Sequence, residues 1–326
     1  MSSSCEKEIL KLRKQIDNKL EKLFTGRQPQ SLYEPSSYIL EGGGKRLRPL
    51  LLMLAYKTVK GNVTGVINAA VAVELLHNFT LVHDDIMDNS DKRRGRVTIH
   101  KKYNLSTAIL TGDNLLAIAY KYLIKDCGND ANRIVDTFTN GVVEVCEGQS
   151  LDKDFETNNS VTLKQYFKMI EKKTAALLET STSIGAQLAN ATEPEIKALT
   201  LFGRYLGIAF QIQDDLLDVF ASEVDFGKFI GGDIVEGKKT FLLLSAVETA
   251  RGKDLNKLKL LIKNKGVDKK LVNDYKEIYL RLGIIEKAKD EVKKYIGKAL
   301  KQLEIFDEQK SLALVNLTNS LIDRNY

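Results

Sequence analysis

Leu81-Val82-His83-Asp84-Asp85-Ile86-Met87-Asp88 closes an apolar, helix-periodic run with three aspartates spaced i, i+1, i+4. On a helix, Asp84 and Asp88 stack one turn apart on one face, with Asp85 about 100° round from Asp84. Carried backwards that face reaches His77, and forwards it reaches Asp91. Three carboxylates so close repel one another and raise their own pKa values unless a cation sits among them. Hard oxygen donors in this number point to Mg²⁺, which takes one or two carboxylates and keeps its waters and substrate phosphates.

One Asp-Asp-x-x-Asp means little, because 22 aspartates in 326 residues produce it by chance in roughly a tenth of such chains. The pattern returns, however, at Asp214-Asp215-Leu216-Leu217-Asp218, again after an apolar run. Two chance copies occur in about one chain in two hundred. The repeat predicts two facing helices with a cluster of Mg²⁺ held between them.

Outward from these motifs the chain reads as all-α. Four prolines, none between Pro49 and Pro194, allow long uninterrupted helices, and alternating segments of strand length are scarce. Residues 1–326 are expected to form a single domain, since no linker is evident. Cys5, Cys127 and Cys146 are widely spaced, as idle thiols of a reducing compartment would be. The N-terminus has no apolar signal core, no apolar run approaches 18 residues, and the last four residues are no prenylation signal. A soluble, cytoplasmic protein without stable membrane insertion is expected. The net charge is +6, its basic excess scattered at helical intervals in 253–301. That describes a solvated helical face, and nucleic acid is not an expected partner.

In chain order, 5–24 reads as an amphipathic helix and 33–41 as a short one, stopped by Gly42-Gly43-Gly44. Lys45-Arg46-Leu47-Arg48-Pro49 then opens an apolar helix to about 59. This glycine-basic stretch reads either as a solvated turn or as a loop that binds an anion, with Lys45 and Arg48 reinforcing it. Helices follow over 63–89, 106–127, 132–151 and 162–190. After the first, Arg93, Arg94 and Arg96 either neutralise the aspartates or grip a polyphosphate bidentately. Glu144, Glu147, Asp152 and Asp154 form an acidic helix end, more often surface than site, and are left unassigned. Lys172-Lys173-Thr174 interrupts a greasy face, where a lysine lacking a partner favours an anionic ligand. Thr192 and Pro194 open the next helix, whose row Gly203, Gly207, Gln211, Asp214, Asp218 lets a helix or ligand approach closely. The glycine-rich basic stretch 226–240, with Lys228 and Lys238, reads as a lid over anions or as a plain connector. Four or five amphipathic helices complete the chain, with turns near Gly252, Gly266 and Gly283.

Two carboxylate triads, several cations and apolar faces beneath call for a substrate with a diphosphate head and a hydrocarbon body. Metals and lysines would stabilise a departing diphosphate while a C–O bond ionises to an allylic cation, in a cavity closed to water. At this point the sequence resembles the trans-isoprenyl diphosphate synthases over roughly 38–240. The resemblance rests on Gly43-Gly44-Lys45-Arg46-Leu47-Arg48-Pro49, Asp84-Asp85-Ile86-Met87-Asp88 with Arg93-Arg94-Gly95, Lys173-Thr174, Phe210-Gln211-Ile212-Gln213-Asp214-Asp215 and Gly237-Lys238-Lys239-Thr240, in the family's order. It implies an isoprenoid-synthase-type bundle of long helices around a central cavity, usually a homodimer.

By the same resemblance, Asp84, Asp88 and Asp214 contact Mg²⁺, three ions per site with Mn²⁺ able to substitute, and Asp85, Asp215 and Asp218 support them. Arg93, Lys173, Thr174, Gln211, Lys228 and Lys238 are implied to bind the allylic diphosphate. Lys45, Arg48, His77 and Arg94 are implied to hold isopentenyl diphosphate. Gly231-Gly232 departs from the family, many of whose members carry a hydroxyl residue there. A terpene cyclase would lack the isopentenyl pocket, and a non-catalytic subunit would have lost a motif. Product length turns on the residues about a turn before Asp84, bulky Phe79 and small Thr80. Each added C5 unit gains roughly 4 kcal/mol from burial, so only a steric stop ends elongation. A lone aromatic at Phe79 resembles C20 producers, which favours geranylgeranyl over farnesyl diphosphate.

Overall fold

Helix accounts for almost all of the structure, a computed structural model that describes residues 3–220 and 231–322. Contacts group the chain into two units, each treated by itself. One comprises Met1–Val142, Leu177–Gly203 and Leu303–Asn316; the other comprises Val143–Ala176, Arg204–Gln302 and Leu317–Tyr326. No described helix is long and apolar enough to cross a membrane.

The first unit begins with α1 (Ser3–Glu21), whose stripe Leu12, Ile16, Leu20 is buried against α2 (Gln30–Glu41), α3 (Leu47–Lys60) and α4 (Ile67–Met87). In α3 the run 50–55 is buried all round, and in α4 the run 69–76 is too, as expected of helices enclosed by others. A short hairpin, β1 (Lys92–Arg93) and β2 (Arg96–Val97), follows α4 and leads to α5 (Ile99–Lys102). In α6 (Leu105–Leu123) the Asn104 side chain accepts from Thr107 N–H at 2.8 Å, an N-cap that fixes where the helix starts. α6 packs extensively on α4.

Where one helix is expected over 162–190, the chain forms α8 (Leu163–Ile170), a π-helical turn (Glu171–Ala175) and α9 (Ala176–Leu188) without a break. The capping box of Thr162 and Gln165 starts it. Before it runs α7 (Ala131–Thr157) and after it α10 (Glu193–Phe220), at whose head Glu195 accepts the Thr192 N–H at 2.8 Å.

The second unit continues with α11 (Gly232–Val235), α12 (Phe241–Thr249), α13 (Gly252–Lys263), α14 (Val272–Arg281) and α15 (Ile284–Gln302). The run 241–246 of α12 is buried, and α13, α14 and α15 pack on it. Residues 284, 285, 288, 292, 296 and 299 turn inward from α15, and its lysines face outward. The final helix is α16 (Glu308–Ile322).

Candidate active site

In the first unit α4 delivers the aspartates. Asp88 closes that helix by donating its backbone N–H to Asp84 O at 2.8 Å, so the two carboxylates rise from successive turns. Asp84 is half-buried and Asp88 exposed. They sit at the negative end of the helix dipole, which adds to their need for a cation. Asp85 turns the other way. It is 2 % exposed and receives Arg93 Nε at 2.6 Å. Burial raises its pKa, with Arg93 opposing.

Arg93 reaches Asp85 because of the hairpin. Lys92 pairs with Val97 and Arg93 with Arg96, leaving a two-residue turn in which Arg94 and Gly95 both have positive φ, 51° and 75°. That is the twist a tight hairpin favours. The turn also carries Arg94 Nη1 to the carbonyl of Gly43. Burial lowers the Arg94 pKa.

The glycine loop before α3 exposes Lys45 but buries Arg46. Arg46 donates to Asp17 at 2.8 Å, Glu74 at 2.7 Å and the carbonyl of Leu40 at 3.0 Å. Burial would lower its pKa, but Glu74 and Asp17 outweigh that and raise it. Arg48 Nη1 lies 3.2 Å from His77 Nε2. Burial, then the charge of Arg48, pushes the His77 pKa well down, so the ring is neutral. A guanidinium can only donate, so Nε2 accepts and the ring proton sits on Nδ1. Among the described residues that buried Nδ1 has no partner. Two residues on, Phe79 is buried edge-on to His83, centroids 4.7 Å apart, and Thr80 bonds back to His77 O at 2.8 Å.

The second unit repeats the pattern on α10. Asp214 and Asp218, one turn apart, are half-buried, whereas Asp215 is 4 % exposed. Three donors take Asp215: Tyr166 hydroxyl at 2.6 Å, Gln211 Nε2 at 2.9 Å and Phe241 N–H at 3.0 Å. Burial raises its pKa to about 6 against the pull of those donors. With Nε2 committed to Asp215, Gln211 turns Oε1 to Thr174, whose hydroxyl donates to it at 2.7 Å. Asp218 accepts the Asp233 N–H at 2.9 Å and so anchors α11.

Lys172 and Lys173 have carboxylate partners on α7, so burial without a partner does not describe them. Lys173 meets Asp152 at 2.5 Å, and Lys172 meets Glu144 at 2.7 Å and also Glu147. Gly148 and Gly207 hold the π-helical turn between them. A methyl group at Gly148 would fall 2.2 Å from Lys173 N, and one at Gly207 2.4 Å from Ala175 Cα. Gly207 thus admits a neighbouring helix segment. Lys238 is exposed, 2.9 Å from Glu236 and 3.7 Å from Asp233. Burial, then Asp218, raises the Asp233 pKa well up. Lys239 is buried with Nζ 3.4 Å from Glu156 O, and Thr240 caps α12. Lys228 lies outside the described residues.

Among the described residues no three acidic, histidine or cysteine groups gather into a complete metal cage. The oxygen-only pairs Asp84/Asp88 and Asp214/Asp218 nevertheless suit an ion that keeps water and phosphate oxygens as ligands. Sequence reasoning gave no role to Arg46, Tyr166, Glu144, Glu147 or Asp152. The signal for the three acids was the Lys172-Lys173 pair on a greasy face, which needed counter-charges.

The family model for polyprenyl synthetase matches residues 29–279. The geranylgeranyl pyrophosphate synthase of Geoglobus acetivorans is 39% identical, covering 98% of this chain and 99% of that protein. The geranylgeranyl diphosphate synthase of Methanosarcina mazei is 44% identical over 72% of each. The crystal structure of geranylgeranyl pyrophosphate synthetase from Pyrococcus horikoshii superposes with a TM-score of 0.92, at 36% identity and 99% coverage of both chains.

Proposed function

The chain belongs to the polyprenyl synthetase family, and on that premise we propose that it condenses isopentenyl diphosphate with allylic diphosphates, with residues 1–326 as one catalytic domain. The observation that carries this is the doubled motif, in which each accessible i, i+4 aspartate pair flanks an inward-held middle aspartate. Asp84, Asp88 and Asp214 are the metal ligands in this reading, with three Mg²⁺ per site and Mn²⁺ as a substitute. Asp218 supports them. Asp85 and Asp215 fix the motifs to Arg93 and to Tyr166, Gln211 and Phe241. Bound there, divalent ions supply Lewis-acid stabilisation of the leaving diphosphate.

Lys173, Gln211, Lys228, Lys238 and Arg93 hold the allylic diphosphate, and Thr174 lies beside Lys173 on the same turn. Because Thr174 gives its proton to Gln211, it offers only lone pairs elsewhere, which suits a developing allylic cation. Lys45, Arg48, Arg94 and the Nδ1–H of His77 hold isopentenyl diphosphate. The allylic C–O bond breaks with its electron pair going to diphosphate. The isopentenyl double bond supplies the new C–C bond, and proton loss to the released diphosphate restores an alkene.

Geranylgeranyl diphosphate is the product we assign, supported by the buried Phe79 beside small Thr80 and by the names of the relatives; farnesyl diphosphate is the alternative. The enzyme is read as a cytoplasmic homodimer. Exposed Leu105, Ile109 and Leu110 on α6 support a face for a second copy. The test is diphosphate release from an allylic substrate with and without isopentenyl diphosphate. Mg²⁺-dependent release that requires isopentenyl diphosphate, lost on chelation and at least a hundredfold slower in Asp84→Ala and Asp214→Ala, is expected. Near-normal turnover in both variants removes the metal assignment, and release without isopentenyl diphosphate favours a cyclase.

A further inference from the structure

The glycine loop that carries Lys45 and leads to Arg48 on α3 is backed by a pocket of about 470 Å³, lined by Arg13, Asp17, Glu21, Leu40, Glu41 and Gly44 among others. A loop backed by a pocket has no close-packed wall to set its course. Guanidinium groups hold it instead. Arg13 Nη2 donates to Gly44 O at 2.7 Å, and Arg94 Nη1 donates to Gly43 O. Arg46, within the loop, is tied to Asp17 on α1 and Glu74 on α4. Arg13 and Asp17 both belong to α1, which precedes the residues the family model matches.

We infer that Arg13 is a positioning residue for the isopentenyl diphosphate pocket, acting through the Gly44 carbonyl. The carbonyl and the next N–H of a trans peptide point in opposite directions. With Gly44 O drawn to Arg13, the Lys45 N–H is aimed away from α1, and the start of α3 with Arg48 is set behind it. The pocket lining includes Gly44 but not Lys45, Arg48 or His77, so Arg13 acts through the loop and does not join those three. The inference rests on the assignment of isopentenyl diphosphate to Lys45 and Arg48.

Steady-state kinetics with each substrate varied in turn provide the test. Arg13→Ala is expected to raise KM for isopentenyl diphosphate about tenfold, the scale of one hydrogen bond to a charged group. KM for the allylic substrate and kcat at saturation stay within about twofold. Arg13→Lys, which keeps a cationic donor, recovers most of the loss. Asp17→Ala, which frees Arg46 on its α1 side, shows the same selective rise and serves if Arg13→Ala does not accumulate. An unchanged KM for isopentenyl diphosphate in these variants, an equal rise for both substrates, or no recovery in Arg13→Lys overturns the inference. Wild-type protein that releases no diphosphate in the presence of both substrates overturns the functional reading instead.

Discussion

Tyr166→Phe removes one hydroxyl and tests whether Asp215 is held as a buried anion. The ring keeps its packing, edge-on to Phe167 at 5.7 Å and beside Phe241 at 6.4 Å. The carboxylate keeps Gln211 and Phe241 N–H but loses its shortest bond, at 2.6 Å. A hydrogen bond to a charged group contributes about 2 kcal/mol, and one to a neutral acid about half that. Because the folded-state pKa of Asp215 is raised to about 6, the native protein binds this proton more readily than the unfolded chain. The group therefore lowers stability as pH rises from about 4 through 6. Losing the tyrosine raises that pKa further, so the deficit of the variant grows through the window and is complete above it. Thermal melts should show a fall of about 3 °C at pH 8 and about 1.5 °C at pH 5. Equal falls at the two pH values, or a larger one at pH 5, would refute the anionic network.

Two further predictions concern product and backbone. Phe79→Ala should extend the product beyond the wild-type length, read by chromatography of dephosphorylated prenols; unchanged lengths would take Phe79 out of the floor of the chain pocket. Gly231→Ser meets a backbone at φ 87° and a Val272 methyl 2.5 Å from the new Cβ. It should cost about 1–3 kcal/mol, seen in denaturant melts, and a neutral result would mean that the loop and α14 shift freely there.

The paired aspartates were legible because a 3.6-residue period ties sequence spacing to one helix face. Spacing alone showed that Asp85 and Asp215 stand apart from their neighbours, but not what they meet. Arg93 lies eight residues beyond Asp85, in the first strand of the hairpin, and Tyr166 lies 49 residues from Asp215. The hairpin escaped because each strand has two residues, too few for alternation to register, and its turn is Arg-Gly where Asn-Gly is the familiar signal. The π-helical turn left no compositional mark. The acids of α7 read as surface because their lysine partners are 21 to 28 residues away. Arg46 looked like one cation among three, and only burial separates it from Lys45 and Arg48.

The clasp of Gly148 and Gly207 on the π-helical turn has a bearing on how such an enzyme can diversify. Main chain comes close to main chain at both points, so the course of the backbone that seats Lys173 and Thr174 is set by glycine contacts as well as by the side-chain bonds of those residues. Substitutions elsewhere in the surrounding core can change its volume and shape without moving that seat. If Lys173, with Thr174 beside it, holds the diphosphate as proposed, residues that set hydrocarbon length could then change while that seat stays in place.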